Sequence, residues 1–83
     1  MKIKMRIRPR IEVINELLIR KGLTKRGLAG VANIGSATAI QICNGNRYPS
    51  PPIAKKIVDA LQVEFDEIFM IEKEKNTRRG KDV

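Results

Sequence analysis

Thr24-Lys25-Arg26-Gly27-Leu28-Ala29-Gly30-Val31-Ala32-Asn33-Ile34-Gly35-Ser36-Ala37-Thr38-Ala39-Ile40-Gln41-Ile42-Cys43-Asn44-Gly45 holds two short helical patterns with a sharp turn between them. Thr24 is a good N-cap, since its hydroxyl can accept an orphan N–H of the first turn. Leu28, Ala29, Val31 and Ala32 supply the apolar positions of the first pattern. Gly27 and Gly30 weaken it by about 1 kcal/mol each relative to alanine. Asn33 tolerates the left-handed conformation better than most residues, which suits a reversal there. Ile34 is the apolar residue of the turn. The second helix runs from about 36 to 44, capped by Gly35 or Ser36, with Ala39 and Ile42 facing inward. Asn44-Gly45 then stops it.

Working outward, the N-terminal side reads as another helix over 10–21. Ile14, Leu17 and Leu18 fall at helical spacing, with Glu12 and Glu16 early and Arg20 and Lys21 late, which complements the helix dipole. Gly22 supplies its stop. On the C-terminal side, Ser50 caps a further helix in which Pro51 takes the first position, where its missing N–H costs nothing. Ile53, Ile57, Val58 and Leu61 form its buried stripe. Val63 bridges to a last short helix over 65–69.

Both ends differ from this middle. Residues 2–8 alternate: Lys2, Lys4, Arg6 and Arg8 against Ile3, Met5 and Ile7, the period of a half-exposed strand. Pro9 ends it, because proline cannot donate to a ladder. The rival reading is a disordered basic arm. Residues 70–75 could form a second strand. Paired with the first, it would set Ile3, Met5 and Ile7 near Met70 or Ile71, with Glu72 and Glu74 offsetting basic neighbours. Residues 76–83 lack apolar content until Val83 and read as a disordered basic tail.

The net charge is +8 over 83 residues. Residues 1–10 hold five Lys/Arg and no acid, residues 73–83 hold five against two, and residues 11–72 hold seven of each. Basic ends point to a polyanion partner, because cations that neutralise phosphates gain affinity by releasing counterions. An anionic membrane surface would be served by the same charge. The longest apolar run, 68–71, is far below the roughly 20 residues a membrane helix needs, and no signal peptide is visible. One cysteine and no histidine are present. The lone thiol, Cys43, suits a reducing cytosol, and the commonest general base is missing. The residues therefore describe a cytoplasmic protein with no catalytic constellation, no metal site, no cofactor and no evident small-molecule ligand. Cys43 faces inward by period and reads as structural, not as a redox sensor.

Five short helices in about 60 residues, two of them joined across a tight turn, fit the geometry by which one helix lies across the phosphates and the next enters a major groove about 12 Å wide. Gly22-Leu23-Thr24, Leu28-Ala29, Asn33-Ile34, Thr38, Ile42 and Asn44-Gly45-Asn46-Arg47-Tyr48-Pro49-Ser50 resemble the Cro/Xre (phage-repressor-like) helix-turn-helix family, without a gap. Residues 61–69 look like that family's closing helix pair. The resemblance covers roughly residues 11–69 and implies a mostly all-α, five-helix, lambda-repressor-like DNA-binding domain. A small two-stranded antiparallel sheet from the two termini would be an addition to it.

Three departures stand out. The family usually has glycine where Asn33 stands, and often a capping glutamate where Gly27 stands. It often has a partly buried arginine–glutamate pair where this chain has Leu18 and Cys43. Losing one partner would strand a charge, whereas replacing both can be neutral, so these two side chains should touch.

By the same resemblance, Ser36, Ala37 and Gln41 face the bases, with Thr38 near the backbone. Gln41 suits adenine and Ala37 a thymine methyl. Phosphate contacts are expected from Lys25, Arg26, Thr38, Asn44, Asn46 and Arg47. Tyr48 would bond a phosphate or pack on Pro49. Arg8 and Arg10 would enter a minor groove if the N-terminus is an arm. Val63, Phe65, Phe69 and Ile71 would face a second copy, or else lie in the core. The implied role is a sequence-specific duplex-DNA-binding transcriptional regulator, a homodimeric repressor. The alternatives are an antitoxin or adaptor whose main partner is another protein, and a domain carrying a membrane-surface peptide.

Overall fold

A computed structural model describes residues 3–75. Along the chain run β1 (Ile3–Pro9), α1 (Ile11–Arg20), α2 (Lys25–Ala32), α3 (Ser36–Cys43), α4 (Pro51–Leu61), α5 (Phe65–Ile68) and β2 (Phe69–Lys75). The expected 76–83 tail lies outside the described residues.

All five expected helices form, though the Ser50 side chain makes no capping bond to α4. In α1, Ile14 and Leu18 are buried, Glu12 sits in the first turn and Arg20 in the last. The Thr24 hydroxyl accepts from the Gly27 N–H at 2.9 Å, which caps α2 without the family's glutamate. Asn33 then turns left-handed, at φ 59° and ψ 50°. Val31 departs from expectation: it is exposed, while Leu28, Ala29 and Ala32 are buried. At about 100° per residue those three share one sector, and Val31 falls roughly a sixth of a turn outside it. Gly35, not Ser36, is the N-cap of α3.

In α4, Ala54, Ile57, Val58 and Leu61 are buried, and Ile53 is half-buried. Gln62 closes that helix in the left-handed region at φ 58°. The last helix is shorter than the 65–69 expected. Phe69 is already extended, at φ −134°, and opens β2. A capping box that the sequence reading missed starts α5: Glu67 Oε2 accepts from the Glu64 N–H at 3.1 Å, and Glu64 in turn accepts from the N3 backbone N–H.

The two ends pair as antiparallel strands, with Ile7 opposite Ile71, Arg6 opposite Glu72 and Pro9 opposite Phe69. Of the two readings of the N-terminus, the strand is the one observed. Pro9 is its last residue, where the missing donor does no harm. Glu72 serves arginines: it bonds Arg8 at 2.8 Å and lies 3.5 Å from Arg6. A two-stranded ribbon is marginal in water unless anchored. Here Pro9 and Phe69 are buried at its base and Ile7 packs on the core.

The core contains Ile14, Leu18, Leu28, Ala32, Ile42, Cys43, Ala54, Ile57, Val58, Leu61, Ile68 and Phe69. Leu18 and Cys43 are both buried members of it. No buried side chain among the described residues is polar or charged. Phe69 is fully buried, so of its two expected places it takes the core and drops out of the candidate dimer surface.

Candidate nucleic-acid interface

The site is the outer side of α3 and the segments that flank it. Ala39, Ile42 and Cys43 hold the helix against the core, and Ser36, Ala37 and Gln41 are exposed on its other side. Thr38 and Ile40 are half-buried between them. The turn before α3 is set by backbone bonds: Ile34 N–H donates to Ala29 C=O at 3.0 Å, and Asn33 N–H to Gly30 C=O at 3.3 Å. These bonds satisfy carbonyls at the end of α2 and fix the angle at which α3 leaves it.

The far end of α3 is held by a residue that sequence reasoning passed over. Asn15 Nδ2 donates to Ile11 C=O at 2.8 Å and to Cys43 C=O at 3.0 Å. The second bond satisfies an orphan carbonyl of α3 and pins it to α1. A polar residue one position past Ile14, on an otherwise apolar-or-charged helix, was the available signal. The chain then reverses at Gly45, at φ +81°. Asn46 N–H bonds Gln41 C=O at 2.8 Å, which folds the following loop back along the helix.

Two of the candidate phosphate-binding side chains, Lys25 and Asn44, meet beside this reversal. Lys25, half-buried at the start of α2, donates to Asn44 Oδ1 at the end of α3. Arg26, Asn46 and Arg47 are exposed. Arg47 Nη1 donates to Gln41 Oε1 at 3.3 Å. Tyr48 has a partner that neither expected role included: the Arg6 guanidinium lies 5.1 Å from its ring centroid, within cation–π range. Arg8 and Arg10 are placed elsewhere, Arg8 on Glu72 and Arg10 donating to Asp66 C=O at 3.2 Å. Burial pushes the Cys43 thiol up from its ordinary range, and the nearby Lys25 charge opposes that shift.

Electrostatics follow the same geography. The seven bases and seven acids of residues 11–72 balance in number but not in place. No acid occurs between Glu16 and Asp59, and all seven bases lie in that interval. It contains α2, the turn, α3, the loop and the first turn of α4. Among the described residues, no helix is long and apolar enough to cross a membrane.

A second surface lies away from α3. Val63, Phe65 and Ile71 line a groove of about 890 Å³ together with Met5, Ile7, Tyr48 and Val58, and the charged Arg6, Lys55, Asp59 and Glu64 line it too. Met5 and Ile71 are each more than half exposed there.

A family model described as helix-turn-helix matches residues 14–68. No curated protein matches the chain significantly. Among solved structures, the restriction-modification controller protein C.AhdI from Aeromonas hydrophila is similar, with a TM-score of 0.63 and 26% identity. That match covers 69% of this chain and 86% of the other. The family match begins at Ile14 and stops at Ile68, so β1 and β2 lie outside it. The chain belongs to the Cro/Xre-type helix-turn-helix family of DNA-binding transcriptional regulators.

Proposed function

We propose that this protein is a cytoplasmic repressor that binds a specific duplex sequence as a homodimer, with α3 in the major groove and no chemical step. The observation that carries the reading is the exposed row Ser36, Ala37 and Gln41 on a braced helix, inside an acid-free, seven-cation stretch. In this reading Gln41 bonds adenine and Ala37 meets a thymine methyl. Lys25, Arg26, Asn44, Asn46 and Arg47 fix the register on phosphates, with Thr38 beside them. The small side chains at 36–38 leave room for DNA shape to carry part of the specificity.

One eight-residue helix reads few bases, and two half-sites one helical turn apart, about 34 Å, multiply that information. The dimer surface we favour is the groove bearing Val63, Phe65 and Ile71, where the exposed Met5 and Ile71 offer apolar area to a second copy. A DNA-contacting role for Arg8 and Arg10 gets less support, because both have intramolecular partners. The groove also favours the second reading, an antitoxin or adaptor with another protein seated on it. Co-purification of a stoichiometric partner from the native cell would select that reading.

The test is selection from random duplex DNA followed by a salt titration. The expected result is a roughly two-fold symmetric site and an affinity that falls steeply with salt. Gln41→Ala relaxes preference at one position per half-site by about 1–3 kcal/mol, while Arg26→Ala weakens all sequences alike. Recovery of no preferred sequence would defeat the proposal.

A further inference from the structure

We propose that Arg47 is a positioning residue for base readout, acting through the Gln41 amide. The proposal rests on the reading of Gln41 as a base-contacting residue and extends it. The two residues are six apart, a spacing that does not by itself bring side chains together on a helix. The reversal at Gly45 does so. Asn46 N–H bonds the Gln41 main-chain carbonyl at 2.8 Å, and the next side chain, Arg47, bonds the Gln41 side-chain carbonyl at 3.3 Å. A backbone bond and a side-chain bond thus tie residues 46 and 47 to the same glutamine.

The chemistry of this pair has a direction. A free glutamine amide can turn over and exchange its donor and acceptor ends. A guanidinium carries donors only, so it accepts one of those orientations, with Oε1 toward Arg47. Gln41 Nε2 has no partner among the described residues, and Oε1 keeps a second lone pair. The amide therefore offers one donor and one acceptor in a set order. Adenine needs that pattern, with its N7 acceptor and N6 donor. Guanine puts the O6 acceptor where adenine has N6, and meets the held Oε1 lone pair to lone pair. Arg47 thus disfavours guanine, whose O6 a freely turning amide could still meet with its donor end. A plain phosphate contact from Arg47 would add affinity without discrimination.

The experiment measures binding of the full chain, at one salt concentration, to the selected duplex and to single-base variants across one half-site. Wild type, Gln41→Ala, Arg47→Ala and the double variant are compared, with melting curves to verify folding. Gln41→Ala should lower the adenine-over-guanine ratio at one position by roughly tenfold. Arg47→Ala should lower the same ratio at least about threefold, leave ratios at other positions unchanged, and add nothing to Gln41→Ala in the double variant. If Arg47→Ala weakens every duplex equally and keeps that ratio, the positioning role is overturned while the Gln41 assignment stands. If Gln41→Ala itself leaves every ratio unchanged, the underlying readout falls and this inference with it.

Discussion

At the scale of single residues, Gly45 is the most constrained position near the site. It combines φ +81° with a position under the Ile11 side chain, where an added Cβ would lie 2.3 Å from Cδ1. Gly45→Ala should therefore destabilise the fold by about 1 kcal/mol or more, chiefly through left-handed strain, since the exposed Ile11 side chain can turn aside. A lower urea midpoint with an unchanged slope would show it. Cys43 makes a different prediction. Its folded-state proton is held more tightly than in the unfolded chain, so stability is level below the ordinary thiol pKa of about 8.5. Above that pH the unfolded state loses the proton first, and stability falls as pH rises toward the folded value. Cys43→Ala should flatten this part of the pH profile, and the native thiol should resist alkylation at neutral pH.

At the scale of elements, α3 is held at both ends by atoms outside it. The left-handed Asn33 and its flanking backbone bonds set the front, and Asn15 sets the back. Asn15→Ala leaves the Cys43 carbonyl unpaired in a part-buried place and should cost about 1 kcal/mol. The effect should be local as well: amide exchange in the last turn of α3 should quicken more than exchange in α4. Uniform quickening across all helices would contradict a bracing role.

For the whole molecule, charge acts in opposite senses on stability and binding. The seven cations between Arg20 and Lys56 repel one another, and the exposed pairs Arg20–Glu16 and Lys55–Asp59 offset little of this. Raising salt from ~0.05 to ~0.5 M should raise the melting temperature slightly while DNA affinity falls by orders of magnitude. A melting temperature that drops in step with affinity would mean that surface ion pairs, not repulsion, dominate.

Much of the architecture was legible in the sequence because it is local. Thr24, Asn33, Gly45 and Pro51 act on backbone within a few residues of themselves, and apolar spacing orients Ile14, Leu18, Ala39 and Ile42. The boundary after Ile68 was misjudged because Phe69 obeys its ladder partner Pro9, sixty residues away, and not its own helix. Whether the basic N-terminus was a strand or an arm depended on the same distant pairing. The Asn15–Cys43 bond, the Arg6–Tyr48 contact and the Arg47–Gln41 bond likewise join segments that periodicity treats separately. Composition and short-range pattern thus determined which helices form and which sides are apolar, since those depend on neighbours in the chain. Tertiary structure alone decided how the ends pair and what steadies the exposed side of α3, since those bonds need chain reversals to bring their partners within about 3 Å.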